Sequence, residues 1–289
     1  MRAGADPDDL RAPARGRQDW YGTACCPPNV MRLLASLDHY VATQDGDGVQ
    51  LHLYAPGTIR AGEVELEVET GYPWNGRVEI VVRQTPDRPW TLSARIPAWA
   101  DEAVVVTEPG GRANGAAAAR GARADGVVAV RGARADGADG APGAYHRIRR
   151  TWRAGDRIVL DLGIRPRLTS AVPRLDVARG QVAVERGPLV YCLEQTDHPG
   201  VIVDDLCVAG ADLRDGTPVA GLPAEVVPVT VRGRAHVHRE DDGGFPYRTA
   251  AAPQEPAHGG LVDLTFVPYY AWANRGPGPM TVWAPMHRV

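Results

Sequence analysis

The chain has 289 residues, 44% of them hydrophobic and 23% charged, which fits one large or two ordinary domains. With 32 Lys+Arg against 35 Asp+Glu the formal net charge is -3, so there is no positive excess to neutralise phosphates or hold an anionic membrane, and nucleic-acid and polybasic lipid partners lose their electrostatic support. The 33 Gly and 25 Pro make up about a fifth of the chain, rich in turns yet below the roughly 25–30% that marks disorder throughout.

Every basic residue is Arg, and Ala, Gly, Pro and Val dominate, a pattern of GC-rich coding from which no function is read. No window approaches the roughly 20 apolar residues of a membrane helix, and Met1 to Asp9 has no apolar run, so a soluble, cytoplasmic chain is expected. Four cysteines are too few for a disulfide scaffold, and they are unevenly placed: Cys25 and Cys26 are adjacent, Cys192 and Cys207 far downstream.

Residues 1–18 are polar and without hydrophobic period, which predicts a disordered start. From Pro28 onward, Val30, Leu33, Leu34, Leu37, Tyr40 and Val41 recur at helical spacing and predict the apolar stripe of one helix to about Ala42. Pro27 and Pro28 mark its start, where a missing N–H has no intrahelical partner, and Gln44-Asp45-Gly46-Asp47-Gly48 follows its end.

Everything beyond reads as β. Glu63 to Glu69 alternates without a fault, with Val64, Leu66 and Val68 on one face and four glutamates on the other, the pattern of a half-buried antiparallel strand. Similar short runs at residues 49–54, 78–83, 91–96, 103–107, 148–152 and 158–162, punctuated by Gly, Pro and Asp, predict a sandwich or barrel. A second series at 181–185, 189–193, 226–231, 262–267 and 280–283 follows a Pro-punctuated passage, 165–173, where a domain boundary is expected.

The segment 108–144 is almost pure Gly, Ala, Arg and Asp, with Arg-Gly-Ala-Arg-Ala-Asp-Gly at 120–126 and again at 131–137. With only Val127, Val128 and Val130 to bury it cannot form a core, and it reads as an expanded surface insertion; the polar stretch 239–260 is read likewise.

Cys25 and Cys26 precede a helix start, where free amides and the helix dipole favour negative charge and hence thiolates, which are both metal ligands and nucleophiles. On spacing alone the pair can equally be two small buried side chains or a vicinal disulfide. As zinc ligands they supply at most half of a tetrahedral shell.

The string Trp20-Tyr21-Gly22-Thr23-Ala24-Cys25-Cys26-Pro27-Pro28-Asn29-Val30 resembles the signature of glycoside hydrolase family 127, the β-L-arabinofuranosidase family. Similar family stretches recur at Tyr54-Ala55-Pro56-Gly57, at residues 70–74 and 150–156, at Arg186-Gly187-Pro188-Leu189-Val190-Tyr191 and at residues 268–274, so the resemblance covers nearly all of 20–285. It implies an (α/α)6 barrel followed by β-sandwich domains, Cys25 as zinc-bound nucleophile, Cys26 as second zinc ligand, zinc as the metal, and retaining hydrolysis of an arabinose-containing oligosaccharide or glycoconjugate. A homodimer is the assembly considered.

The family's acid/base glutamate and its Glu-x-Cys zinc pair lie upstream of the double cysteine, whereas residues 1–24 contain no Glu and no other Cys. The expectation is therefore a mainly β fragment: two jelly-roll-like β-sandwich domains, 44–164 and 165–289, preceded by a terminal helix remnant of the barrel in 19–43, and catalytically incomplete alone. The alternative is a non-catalytic module, a sugar-binding accessory or truncated product. Other candidates are weaker. Asp205-Leu206-Cys207 is a decoy for the Glu-x-Cys pair; His236 and His238 share a strand face without a third ligand; Glu185 and Glu194 flank a strand with no cleft; Tyr269, Tyr270 and Trp272 suit a core or domain interface better than a sugar.

Overall fold

The computed structural model describes residues 17, 24–110, 126–129, 141–236 and 258–287. The readings of 1–18, of most of 108–144 and of nearly all of 239–260 lie outside the described residues. The chain divides into two compact units, Tyr21–Ile164 and Arg165–Val289, with Arg17 grouped with the second.

The first unit opens with α1 (Cys26–Ala35) and the single turn α2 (Asp38–Val41). Its strands are β1 (Ala42–Gln44), β2 (Gly48–Leu51), β3 (Gly57–Ala61), β4 (Val64–Thr70), β5 (Arg77–Gln84), β6 (Trp90–Arg95), β7 (Val104–Glu108), β8 (Gly126–Ala129), β9 (Tyr145–Arg150) and β10 (Arg157–Asp161). They form two sheets, β1-β2-β6-β9 and β3-β4-β5-β10-β7-β8. One core is shared between them, with Leu51, Leu92 and Ala94 from the first and Leu66, Ile80, Ile158 and Leu160 from the second all buried. The alternation of β4 explains its place, since Val64, Leu66 and Val68 face that core while Glu65 and Glu67 pair with Arg60 and Arg83. Strand β8, inside the insertion read as a plain surface loop, pairs antiparallel with β7 and forms the edge of the larger sheet.

All pairings in this unit are antiparallel except β2 with β6, which run parallel. Gly48 permits the approach: at φ +153° its missing side chain leaves room for Thr91, whose carbonyl oxygen would lie 2.0 Å from a Cβ.

The helix departs from its expected continuous form. The predicted single helix breaks at Ser36, whose hydroxyl donates to the Arg32 carbonyl (2.9 Å) while its amide turns to Leu33 (3.2 Å), so the i to i-4 ladder is lost there and the chain tightens before α2. The apolar stripe also covers no core: no residue of α1 or α2 is buried, and Val30 and Leu34 are 56% and 64% exposed.

The second unit comprises β11 (Pro166–Ser170), β12 (Gln181–Arg186), β13 (Leu189–Glu194), β14 (Leu206–Val208), β15 (Arg214–Asp215), β16 (Val229–His236), β17 (His258–Pro268), β18 (Met280–Thr281) and β19 (Trp283–Pro285). These make one sheet along β11-β12-β13-β17-β16-β14, with β15 on β16, β18 on β13 and β19 on β12. Met286, just past β19, bridges Val208 of β14, so the β12–β19 side of the sheet reaches back to β14. Strands β12, β13, β14, β16 and β17 all face one core around Tyr191, Leu193, Val229, Leu264 and Phe266.

Candidate active site

Cys25 is the N-cap residue of α1 and Cys26 its first residue; both thiols are free and exposed, with Sγ atoms 3.7 Å apart. Both thiols are thus exposed in this chain, and their separation is that of two free thiols rather than the roughly 2.05 Å of a disulfide. Pro27 and Pro28 fix the helix start but carry no N–H, and Asn29 already donates to the Cys25 carbonyl at 3.3 Å. The expected row of free amides shrinks to that of Cys26.

Two sulfurs each about 2.3 Å from a tetrahedral zinc stand about 3.8 Å apart, so the 3.7 Å pair fits one edge of such a shell. Among the described residues no group of three or more His, Cys, Asp and Glu could hold a metal. Such a pair could fill at most two of the four positions of a tetrahedral shell.

Nearby in the chain, α2, β1 and residues 55–62 border a groove of about 510 Å³ offering Asp38, Thr43, Gln44 and Arg60 as polar groups. Thr43 begins a hydrogen-bond chain with no sequence signature. Its hydroxyl donates to Gln50 Oε1 (2.9 Å) and lies 2.8 Å from His52 Nε2, while His52 Nδ1 is 2.5 Å from the Tyr145 hydroxyl. The two ring nitrogens of His52 thus link the Thr43 and Tyr145 hydroxyls. Tyr145 lies 93 residues from His52 in sequence, so only the β6 bridge between β2 and β9 brings them together.

The remaining candidates resolve into scaffolding. Cys207 is buried in β14 and donates to the Arg234 carbonyl at 3.4 Å, with burial holding its thiol above the ordinary range, so the Asp205-Leu206-Cys207 string presents no thiolate. Cys192 is buried as well; desolvation first, then the charges of Glu194 and Asp197, push its thiol up to about 12. Glu185 accepts from Thr169 (2.8 Å) and pairs with Arg167, whereas Glu194 is buried against Arg275; each carboxylate is committed to its own partner. His236 ends β16 opposite His258, and His238 lies outside the described residues. Tyr269 and Tyr270 are 47% and 42% exposed in this chain and lie outside its core.

The recurring family stretches serve the core too. The Tyr54 hydroxyl donates to the Arg95 carbonyl (2.6 Å); Trp152 is buried and donates to Trp90 O (3.1 Å); buried Asp156 accepts from the amides of Gly110 (2.7 Å) and Arg153 (3.0 Å). Arg186 grips Asp215 through two bonds of 2.9 and 3.0 Å. Of the motifs, only Cys25-Cys26 presents reactive atoms to solvent.

Comparison with known proteins matches residues 48–164 to the β-L-arabinofuranosidase family 127 middle domain and residues 166–285 to the glycoside hydrolase family 127 C-terminal domain. A non-reducing end β-L-arabinofuranosidase of Bifidobacterium longum subsp. longum is 34% identical over 301 residues, covering 96% of this chain and 40% of that protein. A crystal structure of a family 127 β-L-arabinofuranosidase from Geobacillus stearothermophilus T6 superposes with a TM-score of 0.71 at 31% identity, over 95% of this chain and 39% of that one. A second solved structure, described as a glycoside hydrolase, gives 0.73 at 30% identity over 99% and 43%. The chain thus spans well under half the length of these relatives.

Proposed function

The chain belongs to glycoside hydrolase family 127, and on that premise we propose that it is the C-terminal part of a retaining β-L-arabinofuranosidase in which Cys25 is the nucleophile and Cys26 a zinc ligand. The carrying observation is the exposed 3.7 Å thiol pair on a helix start held by two prolines. Zinc, when bound by Cys25 and Cys26, keeps both thiols ionised near neutral pH. The Cys25 Sγ attacks the anomeric carbon of an arabinofuranoside, and the C–S bond forms as the bond to the leaving oxygen breaks. That oxygen takes its proton from a general acid outside the described residues, and water then displaces the sulfur with net retention.

The exposed stripe of α1 supports the reading that this helix is one wall of a barrel whose other helices lie in the remaining length of the relatives. On this reading the 289 residues alone are catalytically incomplete, holding two of four zinc ligands and no acid/base glutamate. Metal analysis after dialysis tests it. The 289-residue chain should retain far less than one zinc, whereas a chain extended upstream to its relatives' length should retain one that Cys25→Ser and Cys26→Ser each release. One tightly held zinc per 289-residue chain would contradict the half-site.

A further inference from the structure

The turn that joins β4 to β5 in the first unit reads Gly71-Tyr72-Pro73-Trp74-Asn75-Gly76 and leads straight into Arg77. It is pinned at both ends. The amides of Trp74 and Asn75 donate to the Gly71 carbonyl at 3.0 and 3.1 Å, the Leu162 amide donates to the Gly76 carbonyl at 3.0 Å, and Thr70 Oγ1 donates to the Arg77 carbonyl at 2.7 Å. Within the turn Asn75 is exposed, and its Oδ1 accepts the Arg77 amide at 3.2 Å. That bond folds the carboxamide back over the Asn75–Gly76 peptide. Gly71 leaves the room for it, since a Cβ there would stand 2.3 Å from Asn75 Nδ2.

Three features of this turn favour one reaction. Gly76 has no side chain to hinder approach to its nitrogen. Among the described residues its N–H donates to no acceptor, although the residue is buried and buried amides are normally paired. The Arg77 N–H on Asn75 Oδ1 draws electron density from Cγ, the atom that a nucleophile attacks. A nitrogen held beside that carbon within one pinned turn reacts with the advantage of proximity. Two other asparagines lack this setting: Asn29 precedes the branched Val30 and its Oδ1 is held by Arg32 at 2.7 Å, and Asn274 precedes Arg275.

We propose that Asn75-Gly76 is a site of spontaneous covalent modification, at which the folded chain converts asparagine to isoaspartate and aspartate. The Gly76 nitrogen, its proton lost to hydroxide, attacks Asn75 Cγ. The new N–C bond closes a cyclic imide as the Cγ–Nδ2 bond breaks, and Nδ2 leaves, protonated, as ammonia. Water then opens the ring. Cleavage at Cγ gives aspartate, and cleavage at the Asn75 carbonyl carbon gives isoaspartate, in which the main chain runs through Cβ and Cγ. Water is the only co-reactant and the reacting atoms lie in consecutive residues, so the reaction needs no partner. Either product puts a carboxylate where a neutral amide stood. Isoaspartate also lengthens the main chain just before β5, where Arg77 pairs in register with Asp161.

Incubation of the native 289-residue chain at pH 8.5 and 37 °C, followed by trypsin digestion and mass spectrometry, tests the proposal. Cleavage at arginine puts Asn75 on peptide 61–77 and the chain's other Asn-Gly pair, Asn114-Gly115, on peptide 113–120, so the two are read separately. Asn75 should exchange its amide for a carboxylate at a rate within about tenfold of the synthetic 61–77 peptide under the same conditions, while Asn29 and Asn274 stay intact. The rate should rise with pH, since the attacking nitrogen must lose its proton. Asn75→Gln, whose longer side chain would have to close a larger ring, should leave peptide 61–77 unmodified. Circular dichroism before and after incubation establishes that the chain stays folded. A folded chain that reacts more than about tenfold slower than the peptide, a rate that does not rise with pH, or conversion of Asn29 and Asn274 as fast as Asn75 would overturn the proposal.

Discussion

Four cysteines in one chain meet two different environments, and the difference decides their chemistry. Cys25 and Cys26 stand exposed at a helix start, whereas Cys192 and Cys207 are buried in β13 and β14. A buried thiol pushed up to about 12, as Cys192 is, holds its proton throughout the neutral and mildly alkaline range, so it offers no thiolate to an alkylating reagent. Iodoacetamide on the native chain at pH 8 should therefore label Cys25 and Cys26 and spare Cys192 and Cys207, with all four labelled in denaturant; peptide mass spectrometry reads the result, and native labelling of Cys192 would show that β13 does not protect it. The exposed cysteine pair was legible in the sequence because Cys-Cys-Pro-Pro-Asn joins two thiols to a helix start in a few residues. No such sign marks His52, Tyr145 and Thr43, since their hydrogen-bond chain depends on sheet register between distant segments rather than on any local pattern.

Strands were readable one by one wherever one face is buried and the other wet, and β4 is the clearest case because its alternation and its burial coincide. The helix was readable as an element but not in its detail. Periodicity carries no information about the hydroxyl of Ser36 drawing a carbonyl out of the ladder, nor about whether an apolar stripe has a partner within the same chain. The exposed stripe leads to a measurable contrast. In the 289-residue chain Leu34→Gln removes little buried contact and should change stability by less than about 0.5 kcal/mol, while in a chain extended to the relatives' length it should cost about 2 kcal/mol or more, the range for placing a polar group in a packed helix interface. Urea denaturation of both pairs gives the comparison. A large loss in the shorter chain would mean that α1 already packs there, and no loss in the longer one would remove the barrel wall from the account.

Across the whole chain, the family stretches fall into two kinds. Most of them, such as Tyr54, Trp152, Asp156 and Arg186, are fastened inside the β units, and their side chains explain why these units fold as they do. The double cysteine instead exposes two free thiols, and among the described residues no group of three or more His, Cys, Asp and Glu could hold a metal. The return of the second unit's sheet toward β14 was not legible from strand spacing, because it depends on the bridge between Val208 and Met286, 78 residues apart. The most direct test of the account is the rate of hydrolysis of an aryl β-L-arabinofuranoside by the 289-residue chain, set beside that of a chain extended upstream to the relatives' length, each with and without Cys25→Ser. The account predicts no turnover by the shorter chain, turnover by the longer one, and a loss of at least about 10³-fold on replacing Cys25. Hydrolysis by the 289-residue chain that depends on Cys25, or hydrolysis by the longer chain that does not, would contradict it.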